Sequence, residues 1–288
     1  MANGIVVVDK PAGWTSQDVA ARLRGVFRER RIGHGGTLDP MATGVLPVFV
    51  GRATRAVEYF ESAEKEYLAG LRLGTVTNTQ DITGEVLESR PVNLGAGELE
   101  AVLERFVGPQ EQIPPMFSAV KINGQKLYQL ARAGREVERK PRAIQIFSLT
   151  LEPDGTGDPL LRVRCSKGTY IRTLCHDIGQ ALGCGGCMSS LRRTAAGRFA
   201  LEDSVPLRSL IDAPSPEEYL LPVDTLFETL PPLRLNAAQE KVCRNGAPVP
   251  WDGGTPGRYR VYGEAGGFLM VGCLKKGKLW TEKSFFAV

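Results

Sequence analysis

The texture of this chain changes once, at Pro231-Pro232, and that break excludes one uniform architecture. Beyond it, short β-rich runs (Tyr259 to Tyr262, Phe268 to Cys273, Lys278 to Thr281) alternate with glycine turns. This is the pattern of a small β-barrel of about 60 residues. Before the break, helical and strand periods interleave. At 288 residues the chain exceeds an ordinary domain of roughly 100–200 residues. The expectation is a large α+β domain over residues 1–228 followed by a small β domain over 229–288.

Within the large domain, Gly4 to Val8 reads as a strand, closed by Pro11-Ala12-Gly13-Trp14. Thr15 or Ser16 can cap a helix whose Val19, Ala20, Leu23, Val26 and Phe27 share one face. From Glu66 to Leu73 the period switches to two, with Tyr67, Ala69, Leu71 and Leu73 on one side. Glu98 to Val107 predicts a helix stopped by Gly108. Pro109, Pro114 and Pro115 exclude regular helix over 109–123. A short helix over Gln125 to Ala133 and a basic loop over 135–142 follow. Ala143 to Leu151 and Leu160 to Cys165 read as strands. Thr169 can cap a helix carrying Leu174, Ile178 and Leu182 on one face, and Pro206 to Leu226 reads as a short helix and connector.

The net charge of +4 conceals a division. Residues 115–143 carry +5 and residues 229–288 carry another +5, which leaves −6 on the rest. Two basic blocks on an acidic body suggest two contacts to a polyanion. No apolar run approaches the roughly 18–20 residues of a membrane span. Met1-Ala2-Asn3-Gly4 has neither the basic nor the apolar region of a secretory signal. A cytoplasmic protein with six reduced cysteines is expected.

Chemistry concentrates in two segments. Arg31 to Leu46 is glycine-rich, yet it lacks the Gly-Lys-Ser/Thr of a phosphate loop, and Leu38 stands where a dinucleotide loop needs its third glycine. What remains is a rigid loop presenting one carboxylate, Asp39; capping a turn before Pro40 is the alternative. In the second segment, Cys165 to Arg172, Gly168 permits a sharp turn into a helix. Arg172 then opposes the helix dipole at a cost of a few tenths of a kcal/mol, which an anionic partner such as Asp39 would offset; a surface arginine that simply faces water is the alternative. A metal site is not expected. Cys184-Gly-Gly-Cys187 is a lone pair whose nearest histidine, His176, lies on a helix, and tetrahedral zinc needs four ligands. No Gly-x-Ser-x-Gly turn supports a hydrolase triad for His34 or His176.

Taken in order, these motifs resemble the bacterial tRNA pseudouridine-55 synthases of the TruB type. Asp9-Lys10-Pro11-Ala12-Gly13-Trp14-Thr15-Ser16 is similar to the family's opening motif, and Gly35 to Leu46 to its signature, with the catalytic aspartate falling on Asp39. Lys65-Glu66-Tyr67 aligns with its active-site tyrosine, and Gly74 to Gly84 with a downstream loop. Ser166 to Arg172 matches the segment holding the arginine that pairs with the aspartate, and Leu191-Arg192-Arg193-Thr194 the segment with an apolar active-site leucine, Leu191. Gly186-Cys187 departs from the Ala-His of many members.

The resemblance implies a mixed, mainly antiparallel sheet flanked by helices and a PUA-like C-terminal domain. It also implies a mobile RNA-binding insertion over about 109–142, with Arg132, Arg135, Arg139, Lys140 and Arg142 as phosphate contacts. The implied activity is cofactor-free isomerisation of uridine at position 55 of the tRNA T-loop. C1′–N1 is cleaved and C1′–C5 formed on a base flipped out of its stack. Asp39 would attack C1′, attack C6, or stabilise an oxocarbenium-like state while Tyr67 removes a sugar proton. Arg172 would keep Asp39 ionised, Leu191 would keep water off the glycosidic bond, His34 would assist flipping, and Lys10 would support the site. A monomer acting on the tRNA T-stem-loop, with no metal and no membrane, is expected. An RNA-binding or tRNA-folding protein with secondary or no catalysis is the competing reading.

Overall fold

The computed structural model describes residues 2–122, 124–153 and 157–286. A ten-stranded sheet organises the first domain. Its main path runs from Val205–Pro206 at one edge through Gly4–Lys10, Thr43–Val50, Gly186–Ala196, Lys65–Leu73, Leu160–Cys165 and Arg142–Glu152 to Gly108–Gln112. Only the outer pair (Val205–Pro206 on Gly4–Lys10) and the central pair (Gly186–Ala196 on Thr43–Val50) are parallel. The sheet is therefore mixed and mainly antiparallel.

One sheet face buries Val6, Val8, Leu46, Val48, Ala69, Leu71 and Val163 beneath helices Ser16–Val26, Glu98–Arg105 and Ile171–Ala181. The other buries Ile5, Val7, Val45 and Phe49 against Phe60, Phe199 and Phe227. Burial on both faces explains why Thr43–Val50 shows no alternation in sequence: neither side meets water.

Helix Ser16–Val26 starts where the hydroxyl-rich turn predicts. Thr15 Oγ1 accepts the Asp18 N–H, and Asp18 accepts the Thr15 N–H. Helix Ile171–Ala181 starts differently from expectation. Thr169 does not cap it; its hydroxyl donates to the Ser166 carbonyl. The side chain of Gln112, from the sheet edge, instead fixes the residue before the helix: Oε1 accepts the Tyr170 N–H at 2.7 Å and Nε2 donates to the Tyr170 carbonyl at 3.0 Å.

The segment expected as an insertion over 109–142 is shorter. Gly108–Gln112 and Arg142 are strand residues of the main sheet, where Pro109 is tolerated because the strand lies at the edge. The excursion outside the sheet thus covers 113–141 and contains helix Leu127–Arg132.

The C-terminal strands form a five-stranded sheet in the order Pro232–Arg234, Gly257–Tyr262, Phe268–Lys275, Lys278–Ser284, Val249–Pro250. Among the described residues its two edge strands do not pair, so it is an open half-barrel rather than a closed barrel. Those edges are two or three residues long, and Pro232 and Pro250 lack the N–H that closure would need. Among the described residues, no helix is long and apolar enough to cross a membrane.

Candidate active site

The turn presenting Asp39 is fixed from several directions. Ser16, at the start of the first helix, accepts the Leu38 N–H at 2.8 Å and donates to the Leu38 carbonyl at 3.3 Å. The Gly13 N–H donates to the Pro40 carbonyl at 2.8 Å. Lys10, fully buried, donates to the carbonyls of Pro11, Trp14 and Pro40. The segments Asp9–Ser16 and Gly35–Leu46 are thus one construction, the first clamping the peptides on both sides of Asp39. Burial pulls the Lys10 pKa down to about 8, with Asp39 opposing the shift. At Gly44, φ is +98° and an added Cβ would sit 2.2 Å from the Arg193 carbonyl oxygen, so only glycine fits where the loop rejoins the sheet.

Across the cleft, Arg172 lies in the first turn of helix Ile171–Ala181 with its side chain 6% exposed. Its Nε is 2.9 Å from Asp39 Oδ2, and its Nη2 donates to Asp39 Oδ1 at 3.3 Å. The two residues are 133 positions apart in the chain, and the pair combines an ion pair with one charge-assisted hydrogen bond. Arg172 also donates to the carbonyls of Thr79 at 3.2 Å and Phe117 at 2.8 Å. The guanidinium therefore ties the downstream loop and the insertion to the Asp39 turn. The dipole penalty expected at this helix start is offset by four acceptor atoms.

Asp81, unsuspected from sequence, is buried beside this pair, 3.8 Å from Arg172 Nε. Its Oδ1 accepts from the Thr79 hydroxyl and from the Thr83 N–H and hydroxyl. A third of the Asp39 side chain still meets solvent, yet protein surrounds it closely. Burial raises its pKa above 3.8, Arg172 pulls it back, and Asp81 pushes it up again.

Tyr67 projects from the strand beside the central one, 8% exposed, with Arg193 its register partner on Gly186–Ala196. Burial holds its phenol above its ordinary pKa, and Arg193 partly opposes this. Leu191, two residues before Arg193, is 8% exposed and belongs to the main core. His34 is half-buried on strand Ile32–His34, and its Nδ1 has no hydrogen-bond partner. Burial and the Arg193 charge lower its pKa below 6.5, so it is neutral near pH 7.

Arg193 itself is 1% exposed, and sequence reasoning passed over it. The signal was present in the Arg192-Arg193 pair: on a strand, adjacent residues face opposite sides, so one of two arginines in a buried strand must point inward. Arg192 is the outer one, bonded to Asp9 Oδ2 at 2.9 Å and to the Thr43 hydroxyl at 3.2 Å.

In the insertion, Arg132, Arg135 and Lys140 are exposed, with Arg132 over the Tyr128 ring, and so is Arg142 at the first position of the strand that follows. Arg139 is different: it donates to the Pro114 carbonyl and pairs with Glu136. Two grooves elsewhere, one lined by Leu103, Leu149 and Leu151 and one by Leu220, Tyr262 and Phe268, share no lining residue with the Asp39 cluster. Among the described residues, no three His, Cys, Asp or Glu side chains gather as a metal ion would require. Cys187 is fully buried at the start of the central strand.

Comparison with known proteins matches this arrangement to one family. Residues 24–171 match the model of the TruB family pseudouridylate synthase (N terminal domain), and residues 172–228 that of the tRNA pseudouridylate synthase B C-terminal domain. The chain is 46% identical over 265 residues to the tRNA pseudouridine synthase B of Dechloromonas aromatica (strain RCB), covering 91% of this chain and 88% of that protein. It is 43% identical over 278 residues to that of Shouchella clausii (strain KSM-K16), covering 93% and 92%. Among solved structures it resembles a chain of a Cbf5-Nop10-Gar1 complex, with a TM-score of 0.73 at 28% identity over 99% of this chain and 85% of that one. A chain of an H/ACA RNP bound to a substrate RNA containing 2′-deoxyuridine gives 0.73 at 26%, over 99% and 86%. With matched models spanning both the Asp39 turn and the Arg172 helix, the chain belongs to the TruB family of pseudouridylate synthases.

Proposed function

We propose that this chain isomerises uridine to pseudouridine at position 55 in the T-loop of tRNA, with Asp39 as the catalytic carboxylate. The observation that carries the assignment of Asp39 is its hydrogen-bonded ion pair with Arg172 in a partly closed cleft. The reaction transfers C1′ from N1 to C5 of the same base and consumes nothing. A site of one carboxylate, one guanidinium, one phenol and an apolar wall is chemically sufficient for it. Burial raises the energy of the Asp39 anion while Arg172 offsets that cost only for the correctly placed carboxylate, so a reactive anion is available where the flipped nucleotide arrives.

Tyr67 offers a ring face to uracil and Leu191 an apolar wall. A phenol whose proton is held more tightly than usual is a better donor than base, which favours Tyr67 as a hydrogen-bond donor over removal of a sugar proton. His34, half-buried and neutral near pH 7, is read as the side chain that assists flipping of the base. Lys10 acts through the Pro40 carbonyl rather than on substrate. Residues 229–288 form a PUA-like second grip on tRNA, a reading supported by the open sheet and the +5 charge. The enzyme is read as a monomer acting in the cytoplasm.

The test is incubation with an unmodified tRNA transcript and mapping of pseudouridine. Product at position 55 with the parent, and none with Asp39→Asn despite retained tRNA binding, is the expected result. Product formed by Asp39→Asn would remove Asp39 from the chemistry. Binding without product by the parent would favour an RNA-folding role.

A further inference from the structure

Gln80 is held in a backbone conformation that its side chain disfavours. Its φ is +63°, in the left-handed region that glycine enters freely and other residues rarely adopt. Arg28 and Lys276 share this feature, but both lie in exposed turns. Gln80 instead stands between two residues that reach Arg172. The Thr79 carbonyl accepts from Arg172 Nη1 at 3.2 Å, and the Asp81 carboxylate lies 3.8 Å from Arg172 Nε. The conformation of the residue that links them sets where both oxygens point. Glycine would take this turn without strain, so a side chain retained here calls for a compensating contact.

That contact is with the helix that carries Arg172. Gln80 Oε1 accepts the Thr173 hydroxyl proton at 2.7 Å, across 93 positions of the chain. Thr173 follows Arg172 in helix Ile171–Ala181 and is 4% exposed. On its other side the loop is strapped to the central strand by backbone alone. The Gln80 carbonyl accepts the Met188 N–H at 3.0 Å, and the Ile82 N–H donates to the Met188 carbonyl at 2.9 Å. Apart from the contacts of Arg172 itself, the Gln80 amide makes the one side-chain hydrogen bond from residues 78–83 to this helix among the described residues. Arginine is long and has many rotamers, whereas threonine is short and stiff at χ1. The Thr173 bond therefore fixes the first helical turn against the loop in a way the guanidinium contacts do not.

We propose that Gln80 is a positioning residue whose amide latches the 78–83 loop to Thr173, holding the loop oxygens and the first helical turn in the register that presents Arg172 to Asp39. The inference rests on the reading of Asp39 given above and adds a residue that acts through Arg172.

Three variants of the full-length enzyme separate the latch from packing. Gln80→Gly keeps the turn and removes the amide. Thr173→Val keeps the shape and removes the donor, and Thr173→Ser keeps the hydroxyl. In single-turnover kinetics on unmodified tRNA, Gln80→Gly and Thr173→Val should each lower the maximal rate about tenfold, with the half-saturating enzyme concentration within about threefold of the parent. Thr173→Ser should stay near the parent. The Gln80→Gly/Thr173→Val double variant should be no slower than the slower single one, because both remove the same bond. The 15Nε–H resonance of Arg172, assigned by its absence from Arg172→Lys, is a readout independent of activity. It should shift and exchange faster with water in Gln80→Gly and Thr173→Val, and keep its parental position in Thr173→Ser. A parental rate or an unmoved Arg172 resonance in Gln80→Gly overturns the proposal, as do losses that multiply in the double variant. If one of the two disruptive variants does not fold, the other decides by the same two readouts. A parent enzyme that makes no pseudouridine would instead overturn the functional reading, leaving the resonance test standing.

Discussion

On the proposed reading Asp39 acts as an anion, and its neighbours pull its proton both ways. Burial favours the protonated acid, Arg172 the anion, and Asp81 the acid again, with the balance above 3.8. If the anion is the working form, the rate should rise with pH through that raised value. Removing the largest pull toward the anion should move the acid limb further up. Arg172→Met is therefore expected to shift the acid limb of single-turnover pseudouridine formation to higher pH as well as lower the plateau; a limb that stays in place would mean another group titrates. The stability sign follows from the same shift. A carboxylate with a raised folded pKa binds its proton more tightly in the folded state, so its contribution falls as pH rises from 3.8 through the folded value. Asp39→Asn, which never ionises, is expected to melt no lower than the parent at pH 7 while losing activity, as thermal unfolding would show. The Asp39–Arg172 pairing was legible from the chain because a cation in a first helical turn needs a partner. Asp81 was not, because its role depends on a loop closing over the end of another strand through the Ile82–Met188 hydrogen bond.

Whether an element is legible depends on how many of its faces meet water. Lys65–Leu73 alternates and was read to within a residue. The central strand Gly186–Ala196 was passed over, because irregular register at Met188/Ser190 and Arg193/Ala195 and its buried arginine erase alternation. That strand is the hinge of the site: it carries Leu191 and Arg193 and receives helix Ile171–Ala181 on its first residues. The fit there is close enough to test. A Cβ on Gly179 would lie 2.2 Å from the Gly186 nitrogen. Both partners are backbone, so nothing flexible can yield. Gly179→Ala is expected to cost about 1–3 kcal/mol, despite the better helix propensity of alanine, with a lowered urea midpoint as the measure. Moving this helix also moves Arg172, so activity should fall more than stability alone explains. The insertion, with Arg142 at the start of the strand that follows it, gives a second element-scale expectation. Single replacement of Arg132, Arg135, Lys140 or Arg142 should reduce the salt slope of tRNA binding by about 1. Arg139→Ala should change it less, since that guanidinium is already committed to the Pro114 carbonyl and Glu136. Equal effects at all five positions would mean the Arg139 contacts open on binding.

At the scale of the molecule, the proline break at 231–232 separates two sheets, and the second keeps a small core of its own around Leu235, Val261 and Leu279, but another buried cluster crosses the boundary. Phe285 and Val271 of the C-terminal sheet lie in the same buried cluster as Ile5, Val45 and Phe49 of the first domain. Phe227, Phe268 and Phe285 stack across the junction with centroids 5.3–6.0 Å apart. Polar contacts ring this seam. The Tyr262 hydroxyl donates to Asp224 at 2.7 Å, Tyr59 donates to Glu282 at 3.1 Å, and Lys283 pairs with Glu58. Sequence texture marks where a sheet ends, but which aromatic residues cross the boundary depends on tertiary packing that no local period encodes. A shared core makes the second basic block a fixed arm rather than a tethered one, so its distance from Asp39 is set by packing. Phe285→Ala opens that packing at its centre and is expected to cost about 3–5 kcal/mol. If the arm works by being rigid, the variant at a temperature where it remains folded should raise KM for intact tRNA. An isolated T-stem-loop, too short to reach the arm, should be modified as before. Equal losses on both substrates would place the damage in the catalytic domain, and two separate unfolding transitions in the parent would show that the halves do not share one core.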